Sequence, residues 1–291
     1  MIRISSEKCN SCGNCFEVCP SIVIGEKDID SKKEFFVRHP EQCAACGHCM
    51  AVCASRAISH PLLSYEDFEK LDEIDITPES MKNLLLSRRS VRKYKADPAP
   101  QGLVDELIEV ATCAGTGSNL QSVNFVEITD KELLKQLEHK ATDIIWNSGL
   151  KLLDRKWLLP AIRLRYGAEA TEQLLRYHDS MKHRRDNNEL EGMVFRNAPL
   201  VILAHDVKQN RMGQINCAIA MRNIETMALT MGLGTCWAGY FISAASTKPA
   251  EINGLLGLDD SRRIWGALMV GYPRFKSTYK IPRKKREVKK F

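Results

Sequence analysis

Cysteine is the residue type with the clearest chemical pattern in this chain. Of the eleven cysteines, eight lie between residues 9 and 53. They form two runs with the same C-x2-C-x2-C-x3-C spacing, the first made of Cys9, Cys12, Cys15 and Cys19 and the second of Cys43, Cys46, Cys49 and Cys53. Three closely spaced thiolates on one tight loop can bind three irons of a cubane, and the fourth iron then needs a thiolate from elsewhere. The repeated spacing therefore predicts two [4Fe–4S] clusters.

The ligands of the two clusters are expected to cross between the runs. In two-cluster ferredoxins the last cysteine of each run binds the cluster of the other run. This rule assigns Cys9, Cys12, Cys15 and Cys53 to one cluster, and Cys43, Cys46, Cys49 and Cys19 to the other. Small residues within the runs would let backbone N–H groups approach the cluster sulfurs; they are Ser11, Gly13, Ala44, Ala45 and Gly47.

Residues 1–62 resemble a bacterial two-cluster ferredoxin domain. The joint between the runs, residues 22–42, is longer than usual, and Ala54 stands where a proline is commoner. The competing interpretation is a pair of zinc sites, but zinc needs four ligands per site and would not require two matched quartets.

A second group of residues suits a phosphate. Arg88, Ser90 and Arg92 alternate along a segment expected to be extended, so their side chains would face one way. Guanidinium and hydroxyl groups are donors that a phosphate dianion prefers. Taken alone, this segment could also be a solvated basic turn.

Four segments, in order along the chain, resemble motifs of the nitroreductase family of flavoenzymes. Residues 88–94 resemble its phosphate- and ribityl-binding signature, and residues 117–125 resemble its Asn-x-Gln segment. Residues 232–239 are similar to its Gly-Leu-Gly loop beneath the flavin, and residues 271–273, with Arg283 beyond them, to its C-terminal end. Any one motif would be weak evidence, but all four in the family's order are strong evidence.

The resemblance covers about residues 81–291, with a poorly matched insert at about residues 143–196. A further departure is that Ser122 and Val123 stand where the family usually has Pro-Trp after the glutamine. Asn119 alone would more often be a turn residue.

The resemblance implies bound FMN and a homodimer with each flavin at the subunit interface. Arg283 would then close on the FMN phosphate, and the amides of Asn119 and Gln121 would meet the ring edge and the ribityl hydroxyls. The implied FMN-binding residues are Arg88, Arg89, Ser90, Arg92, Asn119, Gln121, Cys236, Trp237, Ala238, Gly239 and Arg283. No side-chain acid/base pair is evident, so the catalytic residues are left unknown.

The elements that must position these residues form an α+β protein of two domains. A ferredoxin-like domain (1–62) and a linker (63–80) precede a nitroreductase-like, flavin-binding α+β domain (81–291) with a mixed central sheet flanked by helices. Hydrophobic periodicity predicts helices over 79–88, 101–114 and 214–231, with Met81, Leu84 and Leu85 buried. Strands are expected over 123–129, 200–205 and 264–271. The stretch 131–196 is helical in pattern.

Charge and hydropathy exclude several classes of protein. Residues 274–291 hold nine Lys/Arg and one Glu, so this tail accounts for the whole net charge of +6. A nucleic-acid-binding face would spread basic residues over a domain, so we expect no nucleic-acid partner. No run of apolar residues could span a bilayer, and the N-terminus lacks a signal peptide's apolar region, so we expect a cytoplasmic protein without a membrane partner.

These observations predict an oxidoreductase. Electrons from a low-potential donor, reduced ferredoxin or similar, would pass through the two clusters to FMN, which would reduce a small organic acceptor such as a nitroaromatic or a quinone. No G-x-G-x-x-G follows a strand, so a Rossmann-bound nicotinamide cofactor is unsupported. The alternative is a non-catalytic module that delivers electrons to a protein partner. Within the insert, Trp146, Trp157, Tyr166 and Tyr177 could stack on a planar substrate and Arg163 and Arg165 could meet an acid group, although helical packing with solvated charges explains them as well.

Overall fold

The computed structural model describes residues 1–291. The chain divides into two compact units. Unit 1 comprises Met1–Asp75 with Gly117–Leu120, and unit 2 comprises Ile76–Thr116 with Gln121–Phe291. None of the helices combines the length and the apolar character needed to cross a membrane.

Unit 1 is built from short elements around its own core. Its elements are β1 (Arg3–Ile4), α1 (Asn14–Glu17), β2 (Ile24–Ile29), β3 (Lys32–Val37), α2 (His48–Ala51) and β4 (Ile58–Ser59). Strands β1 and β4 pair antiparallel, and β2 and β3 form an antiparallel hairpin. The core includes Ile2, Val23, Ile24, Phe35, Met50 and Ile58.

The hairpin occupies the long joint between the cysteine runs. Its two turn residues, Asp30 and Ser31, have φ angles of 46° and 67°. Positive φ at both central residues is the signature of a turn that matches the twist of paired strands. Beyond the hairpin and β4, the side chains of Leu63, Tyr65 and Phe68 pack against this core. The first part of the predicted linker therefore belongs to unit 1, and the two units divide between Asp75 and Ile76.

Unit 2 contains one four-stranded antiparallel sheet. Its strands are β5 (Asn124–Ile128), β6 (Leu200–Val207), β7 (Gly234–Trp237) and β8 (Arg262–Gly271), in the spatial order β5-β6-β8-β7. The only parallel pairing is an isolated bridge between Ser90 and Thr235. The predicted α+β class is confirmed, but the central sheet, expected to be mixed, has only antiparallel pairings among its four strands.

Helices cover both faces of this sheet. The helices of unit 2 are α3 (Pro78–Ser87), α4 (Gln101–Thr112), α5 (Lys131–Ser148), α6 (Leu159–Tyr166), α7 (Ala168–Asp186), α8 (Gly213–Thr230), α9 (Gly239–Thr247) and α10 (Pro249–Leu256), of which α6 and α7 belong to the insert. Alternate residues of β6 enter two separate cores: Val201 and Leu203 pack with Phe241 of α9, whereas Leu200 and Ile202 pack with Met221 of α8. A strand that is buried on both faces has a continuous run of apolar residues in its sequence. Strand β6 could be predicted for this reason.

The insert forms a small helical subdomain within unit 2. Two 3-10 turns, Leu150–Asp154 and Lys156–Leu158, connect α5 to α6. Its own apolar cluster contains Leu150, Leu153, Met181 and Met193. The predicted helical pattern of this stretch is confirmed.

The structure corrects two details of the predicted elements. Helix α3 begins as expected, because Thr77 accepts a hydrogen bond from the backbone N–H of Ser80 (3.1 Å) and Pro78 follows it. However, Met81 and Leu85 are exposed and Leu84 is half-buried, because no element of the chain covers that side of the helix. Residues 234–237, expected to be a loop, form the edge strand β7.

Candidate functional site

The eight clustered cysteines line two cavities in unit 1. One cavity is lined by Cys9, Cys12, Cys15 and Cys53, together with Gly13 and Phe35. The other is lined by Cys19, Cys43, Cys46 and Cys49, together with Ala45 and Gly47. Each cavity thus takes three cysteines from one run and the last cysteine of the other run, which is the crossed grouping expected from the spacing.

The two cysteine loops share an unusual backbone geometry. In the first loop Ser11 and Gly13 have φ angles of 60° and 81°, and in the second loop Ala45 and Gly47 have φ angles of 49° and 76°. Left-handed residues turn successive N–H groups into a concave surface that suits an anionic group. The space beside Gly13 and Gly47 is closed by aromatic rings, because an added Cβ would lie 3.0 Å from Phe35 and 3.3 Å from Phe68.

The sulfurs of each cavity influence one another electrostatically. Burial, and then the neighbouring Cys9, raises the pKa of Cys15. Burial, and then Cys46, raises the pKa of Cys49 to about 11. Thiolates packed this closely need compensating positive charge, which the irons of a cluster would supply. No group of three or more Cys, His, Asp or Glu side chains converges on a point where a single metal ion would sit.

One cysteine from each cavity has a distinct hydrogen-bonding neighbour. The sulfur of Cys53 accepts from the backbone N–H of Ala57 at 3.3 Å. The Sγ of Cys43 lies 3.7 Å from Nε2 of His60, whose Nδ1 accepts from the N–H of Leu62 at 3.1 Å. Because Nδ1 is an acceptor, neutral His60 carries its proton on Nε2 and donates it to Cys43. The surroundings of the two cavities therefore differ although their ligand spacing is the same.

Three of the four segments that resemble flavoenzyme motifs lie side by side in unit 2. Ser90 bridges Thr235 of β7, and the N–H of Val91 donates to the carbonyl of Thr235 at 2.9 Å. Farther along, the N–H of Lys95 donates to the carbonyl of Tyr272 at 2.8 Å. A side chain at Gly234 would overlap Val91, so glycine is required where the first segment crosses β7.

The arginines of the first segment have different surroundings. Arg88 lies 3.6 Å from Glu225, a carboxylate on α8 whose side chain is only 6% exposed. Arg89 donates to the backbone carbonyls of Leu86 and Tyr279, so it fixes chain segments rather than pointing into an open site. The side chains of Arg92 and Arg283 are exposed, and Arg283 lies in a tail without regular structure.

Glu225 lies beside Arg88 and Thr235, a position that was not predicted from the sequence. Its carboxylate lies 3.5 Å from the hydroxyl of Thr235 and 3.5 Å from a guanidinium nitrogen of Arg222, in addition to Arg88. Three donors compensate the cost of burying this charge. The available signal was that Glu225 and Arg222 are the only charged residues of helix α8 and lie three positions apart.

The Asn-x-Gln segment is held in an uncommon conformation. Ser118, Asn119 and Gln121 have φ angles of 53°, 53° and 46°. Within unit 1, the side-chain amide of Asn119 donates to the carbonyls of Ala44 (3.1 Å) and Ala45 (3.2 Å). In unit 2 the backbone N–H of Gln121 donates to the hydroxyl of Thr116 at 2.9 Å. Contacts of both side chains with a flavin remain predictions.

Ser122, which replaces the usual proline, is anchored by a buried carboxylate. Its hydroxyl donates to Asp206 at 2.9 Å, and Asp206 is fully buried. Asn210 donates to the same carboxylate oxygen at 2.8 Å and to Ser122 at 3.2 Å. A proline would fix this position through its ring, whereas here a hydrogen-bond network does so.

Strand β7 leads directly into an open region at the start of α9. Cys236 is buried and Trp237 is half-buried, and the N–H of Ala238 donates to the carbonyl of Ala267 at 2.9 Å. No atom lies within 4 Å of the position that a Cβ would take at Gly239. The space beside Gly239 is therefore open, whereas Cys236 and Ala238 are buried within unit 2.

The two cysteine cavities and the sheet covered by helices on both faces define an iron–sulfur domain joined to an α+β domain. The sequence pattern of the 4Fe-4S dicluster domain matches residues 1–54, and that of the nitroreductase family matches residues 85–272. The chain belongs to the nitroreductase family.

Individual relatives agree with this assignment. The NADPH-flavin oxidoreductase of Vibrio harveyi is 23% identical over 189 residues, which are 65% of this chain and 64% of that protein. The NADH dehydrogenase of Thermus thermophilus is 38% identical over 60 residues, 21% of this chain and 29% of that protein. The chain thus spans less than two thirds of the length of either curated relative. A nitroreductase with bound FMN from Bacteroides fragilis has the same fold, with a TM-score of 0.55 and 17% identity over 72% of this chain and 97% of that one.

Proposed function

We propose that this protein is an FMN-dependent oxidoreductase of nitroreductase type. It takes electrons from a low-potential donor through two [4Fe–4S] clusters and reduces a nitroaromatic or quinone-like acceptor. The observation that carries the proposal is the crossed lining of the two cavities by eight cysteines, in a chain whose remaining part belongs to a flavoenzyme family. Cysteines that serve only as buried apolar residues would not surround two cavities in crossed quartets.

The residues around the cavities fit two cubane clusters. Cys9, Cys12, Cys15 and Cys53 would bind one cluster, and Cys19, Cys43, Cys46 and Cys49 the other. Hydrogen bonds to the ligand sulfurs tune the potential of a cluster. The donors at Cys53 and Cys43 differ, so we expect the two clusters to have different potentials.

The residues beside β7 fit the phosphate end of FMN. Ser90 bridges Thr235, and both the Thr235 hydroxyl and the Arg88 guanidinium lie beside Glu225. Arg92 and Arg283 are exposed and would complete the phosphate site, whereas the contacts of Arg89 assign it a supporting role. Cys236, Trp237, Ala238 and Gly239 would lie along the ring.

Bound FMN would supply the conversion between single-electron and two-electron chemistry. The chain's own residues bind and orient it. Tyr94 is not an acid for the reaction, because burial raises the pKa of its hydroxyl, which donates to the carbonyl of Val91 at 2.6 Å. We therefore propose no catalytic side chain, and the proton of the reduction would come from solvent.

Reduced ferredoxin or a similar one-electron donor is the proposed source of electrons. The cysteine unit is a natural entry point for single electrons, and no dinucleotide-binding glycine motif follows a strand. A cytoplasmic location is part of this proposal, because thiols persist in reduced form in that compartment.

We also propose a homodimer with FMN at the interface. Ile215 and Ile219 of α8 and the preceding Met212 are exposed, as are Met81 and Leu85 of α3. Contiguous exposed apolar residues of this kind are characteristic of interaction surfaces. A second copy of the chain would cover them.

The first test is anaerobic purification followed by quantitation of iron, sulfide and flavin. We expect about eight irons, eight sulfides and one FMN per chain, since each cubane contains four irons and four sulfides. Anaerobic turnover of the reduced protein with nitroaromatics and quinones then tests catalysis. Flavin that stays reduced with every acceptor would instead favour the electron-transfer module. Iron without flavin would contradict the proposal for unit 2.

A further inference from the structure

The insert forms an open cavity whose lining contains none of the residues proposed to bind the clusters or FMN. Its volume is about 890 Å³, and it lies among the end of α5, the 3-10 turns, α6, α7 and one side of α9. Most of its lining is aliphatic, including Leu150, Leu153, Leu158, Ile162 and Leu174. The volume falls in the range of about 300 to 1,000 Å³ that is usual for small-molecule sites.

A single charged residue, Arg165, lines this cavity. Its guanidinium stacks over the ring of Tyr166 at 5.5 Å and forms no ion pair with any carboxylate of the chain. The nearby Arg163, by contrast, does not line the cavity and is bound to Glu172 at 2.7 Å. Arg165 is exposed and therefore gives the mostly apolar cavity one positive charge that no carboxylate of the chain pairs with.

Two tyrosines supply flat surfaces within the same cavity. Tyr166 lies next to Arg165, and Tyr177 is held in place, because its hydroxyl accepts from Gln173 at 2.9 Å and its ring packs edge-on against Tyr240 at 5.9 Å. Aromatic rings bind planar groups through offset or edge-on contacts. Of the aromatic residues expected to bind substrate, Trp146 is instead stacked on His178 and Trp157 is exposed outside the cavity lining.

Helix α9 connects this cavity to the proposed flavin region. Gly239, at its start, faces open space, and Ser243 and Thr247, one and two turns later on the same side, line the cavity. One helical turn advances by about 5.4 Å. A molecule in the cavity could therefore extend along α9 towards the residues expected to contact the flavin ring.

We propose that this cavity binds the acceptor, and that the acceptor is an apolar, planar molecule with one anionic group, such as an aromatic carboxylate. The anionic group pairs with Arg165, the planar part packs between the tyrosines, and the reducible group lies towards Gly239. That the bound molecule is the acceptor rests on the proposed function. That the cavity binds an apolar, planar anion does not depend on it.

The test uses 4-nitrobenzoate and its uncharged counterpart 4-nitrobenzamide with the full-length holoprotein. Equilibrium dissociation constants are measured by calorimetry with the protein oxidised, so that no turnover occurs. We expect R165Q to weaken binding of 4-nitrobenzoate about five- to tenfold at low salt and to leave 4-nitrobenzamide within about twofold. The matched control, R163Q, removes an equal charge from the same helix and should change neither constant.

A variant with a larger side chain in the cavity lining tests whether the cavity binds a small molecule or a second copy of the chain. Ala170→Trp places bulk into the lining and should abolish binding of both probes while leaving the sedimentation coefficient unchanged. Unchanged binding accompanied by an altered oligomeric state would mean that a second copy fills the cavity, and the proposal would fail. Equal effects of R165Q and R163Q would also overturn it.

Turnover assays separate this inference from the proposed function. Selective loss of 4-nitrobenzoate binding in R165Q without any turnover would support the site and contradict the proposed reaction. If the wild type and R165Q turn over at the same rate and the two probes bind equally well, the proposed reaction would be supported and the proposed binding site would be overturned.

Discussion

The cysteine unit and the flavin-type unit build their sites in opposite ways. In unit 1 all eight proposed ligands come from two short loops with matching left-handed residues. In unit 2 the proposed ligands come from segments separated by more than a hundred residues, such as those that contain Ser90 and Cys236. Local spacing therefore specifies the first site, whereas packing decides which side chains reach the second.

The largest effect is expected from cysteine pairs that test the crossed assignment. C15S/C53S removes two ligands of one proposed cluster and should leave about four irons per chain, since each cubane holds four. C49S/C53S removes one ligand from each and should leave almost none. Iron and sulfide analysis with electron paramagnetic resonance measures both.

The isolated, exposed Cys113 provides the control, and C113S should retain the full iron content. If the first double variant lost all its iron while the second kept half, each run would bind its own cluster. In that case the crossed grouping of the cysteines in unit 1 would be wrong.

The next effect concerns the phosphate end of the flavin site. Arg88→Gln removes a half-buried guanidinium beside Glu225, and we expect it to weaken FMN binding by about 10- to 100-fold, the range for a charge-assisted hydrogen bond. Fluorescence titration of flavin-depleted protein measures the dissociation constant. K95Q removes a nearby exposed charge and should change it little; equal losses would mean that the segment acts only through its overall charge.

A smaller effect is expected from the network around Ser122. Ser122→Ala leaves the buried Asp206 with one donor fewer and should lower the free energy of unfolding of unit 2 by about 1–3 kcal/mol. Urea denaturation followed by tryptophan fluorescence measures this, because every tryptophan belongs to unit 2. Ser118→Ala, which removes a hydroxyl from the same loop, is the control. An unchanged midpoint would show that Asn210 and the backbone N–H of Val207 satisfy the carboxylate without Ser122.

The smallest effect is a pH dependence. Burial, and then Arg262, lowers the pKa of His205. The folded state therefore disfavours protonation, so this contribution to stability is complete above the unfolded-state pKa of about 6.5 and is lost as the pH falls below it. Urea denaturation at pH 7.5 and pH 6 should show a decrease in the wild type that is smaller in His205→Gln. Equal decreases would mean that other groups cause it.

The long apolar helices and strands of unit 2 could be predicted from the sequence. Short strands that depend on pairing with distant parts of the chain could not. The first five residues of β6 form a continuous apolar run, and α8 was predicted to within a residue at each end. Strand β7 has four residues, one of them a glycine, and depends on pairing with β8. Such pairing is a tertiary effect that local propensity does not contain.

The site residues follow the same rule. The cysteine grouping was predictable because three ligands of each cavity lie within seven residues. The ion pair between Arg88 and Glu225 joins positions far apart in sequence, and neither residue type indicates the partner. Arg163 is paired with a carboxylate and Arg165 is not, because Glu172 on the next helix lies beside Arg163. This difference could not be predicted from the sequence either.

The pairing of residues 90 and 91 with β7 has a practical consequence for shortened chains. These residues cover one open edge of the sheet, and an uncovered edge is a template for aggregation. A deletion that ends before Pro78 would remove the cysteine unit and keep this cover. A deletion that ends after Tyr94 would remove the cover as well, so the poor yield of such a chain would reflect edge-to-edge association rather than the missing clusters.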